Sequence, residues 1–231
     1  MILRRFMQHI KEQNWFAVGL DVIVVIVGIF LGMQVTEWND ARKAKSNETQ
    51  YLASFRNDLL IARESIQRAV DAHQKLTDEG LKVISYFNGD IQLEDNIEAI
   101  EYGLIYQFRF PMPQIKIGEL GVLLDRQSEL NLSNKIQRQK IIEMVDRINS
   151  TLDIYEHIEL YIDLIYEDYL FKISPPVRGT KDKIPASYDL ESLKDDEKFK
   201  VSFQNVLHRH QTSVFMLRRI DESIAEYLAK Y

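Results

Sequence analysis

The feature that most constrains this chain is a long apolar run close to its start. Residues 15–35 carry one charged side chain, Asp21. As an α-helix this run extends roughly 31 Å, about the thickness of the hydrocarbon layer of a bilayer. Trp15 and Trp38 flank it, where amphipathic rings lie among lipid headgroups. We therefore predict a transmembrane helix at 15–35 that follows a short tail at 1–14.

A cleaved signal peptide or a buried core helix could contain a similar run. A signal peptide ends at a small-residue site of the Ala-x-Ala type, whereas residues 33–38 read Met-Gln-Val-Thr-Glu-Trp. We therefore expect the run to stay attached to the chain, as a single-pass anchor in the lipid bilayer.

The orientation of the anchor depends on the lysine and arginine residues beside it. Three lie on each side, namely Arg4, Arg5 and Lys11 before the span and Arg42, Lys43 and Lys45 after it. The free amino terminus adds positive charge next to Arg4 and Arg5. This favours a tail on the inner side of the membrane and a C-terminal domain on the outer side.

Asp21 lies inside the apolar run, where a charge is costly. Successive helical residues are rotated by about 100°, which places Val25, Gly28 and Gly32 on the same face as Asp21. Glycines four residues apart let two helix backbones approach closely in lipid. The pattern predicts a helix–helix interface in which Asp21 hydrogen-bonds to a neighbouring helix. The alternative is that Asp21 extends to the nearby headgroups.

Several of these residues follow a recognisable order. They are Arg4, Arg5, Gln13, Trp15, Asp21, Gly28, Gly32, Gln34, Trp38 and Asn39. A Glu-Leu-rich stretch follows later in the chain, at 113–136. In these features, mainly within the first 45 residues, the chain resembles an uncharacterised bacterial family of single-pass membrane proteins, domain of unknown function 6090. Glu37 stands where that family more often has Asn. The resemblance implies a membrane-anchored helical domain and brings no known activity. A bacterial chain in the favoured orientation would lie in the inner membrane with its domain in the periplasm.

Beyond the span the apolar residues follow a helical period. Three segments, 52–76, 141–169 and 199–231, place mostly apolar side chains every seven residues, with a second row interleaved. This pattern is typical of helices that pack on one another. We predict an all-α fold in which the transmembrane helix continues into a coiled-coil-like helical bundle spanning 36–231.

Helix boundaries are indicated by proline, glycine and capping residues. We expect the anchor helix to continue until Asn88-Gly89, because no proline interrupts it. Ser133 is the expected N-cap of the second long helix. The helices expected after the first are 94–108, 114–128, 134–172 and 197–230, with an exposed loop at 174–189.

Composition argues against several classes of function. A formal net charge of −6 makes nucleic acid an unsuitable partner. The absence of cysteine excludes disulfides, cysteine metal ligands and cysteine nucleophiles. The sequence has neither a glycine-rich phosphate loop nor a G-x-S-x-G serine motif. We therefore expect no catalytic activity and no cofactor.

The polar residues at core positions of the three long heptad segments include His73, Glu159 and His210. Together they could form a buried metal-binding or pH-sensitive layer. Isolated polar residues at such positions also fix helix register or contact water. We favour this second interpretation and predict no metal site.

These features favour a membrane-anchored interaction or scaffold protein. We expect a homo-oligomer that associates through the transmembrane helix and the adjoining coiled coil. Its bundle would face an unidentified membrane or periplasmic protein. The alternative is a periplasmic sensory input module that binds a small ligand. With one predicted span, such a sensor would act through a separate partner.

Overall fold

The structure is a computed structural model that describes residues 15–115, 118, 132–169, 172–174 and 187–231, with side chains from Val22 onward. These residues are almost entirely helical, which confirms the all-α prediction. The chain divides into two compact units, with the boundary between Ala53 and Ser54.

Helix α1, Trp15–Asn88, contains the predicted span and continues beyond it without a break. It ends at Gly89, whose φ of +82° is a left-handed conformation that favours glycine. The predicted end at Asn88-Gly89 is therefore confirmed. Its first part is apolar enough, and the helix long enough, to cross a membrane. The large apolar side chains from Val22 to Val35 are each between 49% and 63% exposed.

The remaining elements are short or belong to two further long helices. They are α2 (Ile97–Tyr106), α3 (Lys135–Glu167), β1 (Ile173–Ser174), β2 (Ser187–Tyr188), α4 (Leu190–Asp195) and α5 (Glu197–Lys230). The two strands pair antiparallel, with Ser174 opposite Ser187. Residues 107–115 follow α2 without regular structure, and we call them the crossing segment.

The second unit has an apolar core to which all of its helices contribute. The predicted heptad rows are buried in α1 from Phe55 to Leu76 and in α5 from Phe199 to Tyr227. Helix α5 begins at an N-cap, Asp196, whose side chain accepts a hydrogen bond from the amide of Phe199 at 3.0 Å. The predicted span of this last helix, 197–230, is confirmed.

Helix α3 departs from the predicted register. Its buried row runs through Ile148, Thr151, Tyr155, Ile158 and Ile162, whereas the sequence pattern assigned Leu152 and Glu159 to it. Both of these are half-buried at the flank of the row. From Ile148 to Ile162 the observed row advances by three, four, three and four residues, and the expected row by four, three, four and three. Both orders fit the helical period. The observed order buries the isoleucine at 158 and leaves the neighbouring carboxylate in contact with water, which costs less free energy.

The boundaries of α3 also differ from those expected. Its N-cap is Asn134 and not Ser133, because the Asn134 side chain accepts hydrogen bonds from the amides of Ile136 and Gln137 at 3.1 Å. The helix ends at Glu167 and not at residue 172.

The loop expected at 174–189 is bounded by the paired strands, with Ser174 at its start and Ser187 near its end. Helix α4 follows this loop and was not predicted. Residues 175–186 and most of the helix expected at 114–128 lie outside the described residues.

Gly103 marks a close approach of α2 to α1. A methyl group there would lie 2.8 Å from the carbonyl oxygen of Glu79. We expect Gly103→Ala to lower the free energy of unfolding by about 1–3 kcal/mol, as overpacking does, because a backbone atom has no room to move aside. Denaturant titration of the intact chain in detergent, followed by circular dichroism, measures this change.

The control is Glu98→Gln, at an exposed position of the same helix, which should change the free energy of unfolding by less than about 0.5 kcal/mol. If Gly103→Ala has no larger effect than this control, α2 does not pack on α1 as closely as described.

Candidate functional site

Two histidines from distant parts of the sequence meet in the core of the second unit. His73 of α1 and His210 of α5 are fully buried, and their Nδ1 atoms are 2.8 Å apart. Each lies in the buried row of its helix, where the heptad spacing directs it towards the other helices. A buried imidazole needs hydrogen-bond partners for its ring nitrogens, and the atom that faces the Nδ1 of each ring is the Nδ1 of the other.

The outer ring nitrogens face backbone carbonyl groups of the crossing segment. Nε2 of His73 lies 3.1 Å from the carbonyl oxygen of Pro111, and Nε2 of His210 lies 2.7 Å from that of Gln107. Carbonyl groups inside a helix are already engaged by amides four residues further on. The irregular crossing segment therefore supplies acceptors that the helices do not.

Aromatic rings enclose the pair. The ring centroid of Phe110 is 4.9 Å from that of His73 and 6.0 Å from that of His210. Tyr155 of α3 has its ring centroid 5.9 Å from that of His73, and its hydroxyl donates to the carbonyl oxygen of Ser213 at 3.0 Å. The site is thus built by α1, the crossing segment, α3 and α5 together.

Further buried polar atoms near the pair have no hydrogen-bond partner among the described residues. Thr77 Oγ1, one turn after His73, and Ser213 Oγ, one turn after His210, are two of them. Gln107 is fully buried, and neither its Oε1 nor its Nε2 has a hydrogen-bond partner within the described ranges. Since buried polar atoms are normally satisfied, this layer has unused capacity for hydrogen bonds.

Burial shifts the protonation of the pair. It lowers the pKa of both histidines below the ordinary value of about 6.5, because an imidazolium loses its hydration in the core. Burial and then the positive charge of His210 lower the pKa of His73 to about 3, while the Pro111 carbonyl acts in the opposite direction. The folded pair therefore resists taking up two protons.

Glu159, the third polar residue predicted for the core, does not join the histidines. It is half-buried beside the buried row of α3, and the pair is formed by His73 and His210 without it. Within the described ranges, no three His, Asp or Glu side chains are placed to hold a metal ion.

The residues predicted for a transmembrane interface lie on α1. Val25 is exposed, and a methyl group added at Gly28 or Gly32 would meet no atom of the described residues within 4 Å. Trp38 is exposed as well, with the guanidinium carbon of Arg42 6.0 Å from its ring centroid. The side chains of Trp15 and Asp21 lie outside the described residues.

Comparison of the chain with protein-family models, with curated proteins and with solved structures finds no match.

The groups that hold the histidines were not identified from the sequence. Gln107, Phe110 and Pro111 belong to no heptad, and the helical pattern gives them no role. The available signal was the proline pair at 111 and 113. Prolines prevent a helix there, and a non-helical backbone next to a core has free carbonyl groups.

The pair should make the fold less stable in acid. The unfolded chain binds a proton at each histidine below pH about 6.5, whereas the folded pair has lowered pKa values. Proton uptake by the unfolded chain therefore lowers the free energy of unfolding as the pH falls below about 6.5, and this loss is absent at higher pH. Relative to the double variant His73→Gln, His210→Gln, the wild-type chain should lose about 1–4 kcal/mol of unfolding free energy between pH 7 and pH 5.

Denaturant titrations of the intact chain in detergent at a series of pH values measure this loss. The matched control is His157→Gln, His208→Gln, which changes two exposed histidines and should leave the wild-type profile unchanged. If the wild type and the His73, His210 variant show parallel profiles, the pair is not perturbed by burial.

Proposed function

We propose that the chain is a membrane-anchored, self-associating helical protein that acts as an interaction module or scaffold, without catalytic activity of its own. The observation that carries this proposal is the exposed apolar surface of α1 from Val22 to Val35. Its N-terminus would lie in the cytoplasm and its domain in the periplasm of a bacterium, in keeping with the family resemblance and the charges beside the span.

A lipid bilayer is the surrounding that fits Val22–Val35. A helix of a soluble protein buries at least one apolar stripe against its own core. Here the described residues bury none of the most apolar part of α1. Apolar side chains lie on every face of this part of the helix. Trp38 follows directly, at the place where an aromatic ring would reach the headgroups.

Self-association through the Gly28 and Gly32 face is part of the proposal. In lipid, helices associate through close backbone packing and hydrogen bonds, because burial of apolar surface no longer drives them together. Both glycines have open space where a side chain would be. Asp21 lies on the same face by the helical period, and a second helix would offer its carboxyl group a hydrogen-bond partner.

The second unit has a surface suited to a protein partner. On one side of α3, apolar residues are between 36% and 68% exposed, namely Ile154, Leu160, Tyr161 and Leu164. The helical period places them within about 120° of one another. Contiguous exposed apolar patches often mark interaction sites, and a membrane or periplasmic protein is the partner we propose for this one.

The surroundings of the buried pair, His73 and His210, favour a second candidate, a sensory input module that acts through a separate partner. Counting the residues that the structure describes, Gln107 and its neighbours have unused hydrogen-bonding capacity in the core, which a small polar ligand could use. Thermal-shift screening of the intact chain against small polar molecules separates the two candidates. A large stabilisation by one compound favours the sensor, and its absence across the screen favours the scaffold.

Replacing Gly28 and Gly32 with isoleucine should reduce the size of the oligomer in mild detergent, because the added side chains hold two helices apart. Size-exclusion chromatography with light scattering measures the mass of the intact protein. The control variant, Ile26→Leu with Phe30→Leu, changes the opposite face and should keep the wild-type mass. An unchanged mass for the glycine variant would mean that this face is not the interface.

The role proposed for Asp21 is tested by a pair of substitutions. Asp21→Asn keeps a hydrogen-bonding group of the same size, whereas Asp21→Ala removes it. We expect the alanine variant to dissociate at a several-fold lower detergent-to-protein ratio than the wild type, and the asparagine variant to behave like the wild type. Equal behaviour of all three proteins would indicate a carboxyl group that extends to the headgroups.

A further inference from the structure

The histidine pair has three hydrogen-bonding contacts, and two neutral rings carry too few hydrogens for them. The contacts join Nε2 of His73 to Pro111, Nε2 of His210 to Gln107, and the two Nδ1 atoms to each other. A carbonyl oxygen only accepts, so each Nε2 must carry a hydrogen. A neutral imidazole has a single N–H, which leaves two bare Nδ1 lone pairs 2.8 Å apart.

Moving a hydrogen within the neutral pair does not remove the conflict. If His73 carries its hydrogen on Nδ1, it can donate to His210, but its Nε2 lone pair then faces the Pro111 carbonyl oxygen at 3.1 Å. The same exchange on His210 leaves a bare Nε2 2.7 Å from the Gln107 carbonyl oxygen. Every neutral arrangement sets two acceptors against each other in a buried place, which is unfavourable. One additional proton satisfies all three contacts.

We propose that His73 and His210 form a binding site for a single proton, held between their Nδ1 atoms while each Nε2 donates to the crossing segment. The pair then carries one positive charge, shared by two rings. A second proton would place a hydrogen on both Nδ1 atoms and set two donors against each other at 2.8 Å. The site is therefore full after one proton, whether the chain acts as a scaffold or as a sensor.

The separation of the rings fits a proton and not a metal ion. A donor and an acceptor 2.8 Å apart are at the distance of a strong hydrogen bond. Tetrahedral Zn²⁺, with Zn–N bonds of about 2.0–2.1 Å, would hold two nitrogens about 3.3 Å apart. It would also need further ligands, and the described part of the chain places no third His, Asp or Glu there.

In the described part of the chain, no group around the pair supplies a countercharge. From α3 the titratable neighbour is Tyr155, whose burial raises the pKa of its hydroxyl far above neutral pH. From α1, the crossing segment and α5 the neighbours are Thr77, Phe110 and Ser213, which do not ionise. Among the described residues no carboxylate acts on either histidine. Burial thus lowers the affinity of the pair for a proton, and the hydrogen bonds to the two carbonyl groups raise it.

Occupancy by the proton is coupled to the packing of the crossing segment. Both carbonyl acceptors belong to this segment, and a few residues later its Gln114 amide donates to the hydroxyl of Ser65 on α1 at 2.7 Å. When the proton leaves, the rings separate or one Nε2–carbonyl hydrogen bond is lost. The protonated pair therefore fastens the segment to α1 and α5, and the deprotonated pair loosens it.

Nitrogen-15 NMR of the intact chain in detergent micelles, with labelled histidine, tests the proposal, because each ring nitrogen reports whether it carries a hydrogen. As the pH is lowered, we expect the Nδ1 resonances of His73 and His210 to shift together, with one midpoint and the uptake of one proton per chain. Both Nε2 resonances should remain those of N–H groups. The bridging hydrogen should give one strongly downfield proton resonance.

Two variants support the assignment. His210→Gln keeps an N–H donor for the Gln107 carbonyl and removes the second Nδ1, so the joint shift and the downfield resonance should both be lost. His208→Gln changes an exposed histidine on the same helix and should keep both signals. If His210→Gln does not fold, the wild-type titration decides the question alone.

Separate midpoints for the two histidines, uptake of two protons, or a hydrogen fixed on one Nδ1 at every pH would each overturn the proposal. Unfolding of the chain before any joint shift would overturn it as well. Zn²⁺ that shifts both Nδ1 resonances to saturation, reversed by EDTA, would identify a metal site instead of a proton site.

Discussion

The core of the second unit depends on backbone carbonyl groups that no helix has engaged. A helical bundle satisfies its own amides and carbonyls and leaves few acceptors for a buried imidazole. The crossing segment brings two such acceptors to His73 and His210, and its prolines keep it from becoming helical. The most polar layer of the core is therefore found where the least regular backbone enters it.

Helix α1 combines two surface patterns in one continuous element. From Val22 to Val35 its apolar residues face every direction, and from Phe55 onward they form rows that the other helices cover. A backbone that satisfies its own hydrogen bonds is compatible with lipid, water or a protein core. The side chains alone decide which of these surroundings each part of α1 requires, and a change of pattern needs no break in the helix.

The long helices and most of their buried faces could be predicted, because a repeated apolar spacing is a local property of the sequence. The end of α1 at Gly89 and the rows of α5 follow from such signals. The register of α3 could not be predicted, since Ile158 and Glu159 both fit the period and only the neighbouring helices decide between them. The contact between His73 and His210 could not be predicted for a similar reason. It depends on how two helices align and on where the crossing segment runs, and no local pattern encodes either.

The short antiparallel pair of β1 and β2 has a consequence for what the chain tolerates. Because Ser174 lies opposite Ser187, the connection between them starts and finishes at neighbouring points. Lengthening a connection that is already closed costs little, about 0.6 kcal/mol for each doubling of its length. The pairing of β1 with β2 therefore sets a closure cost that changes little with the length of chain between the two strands.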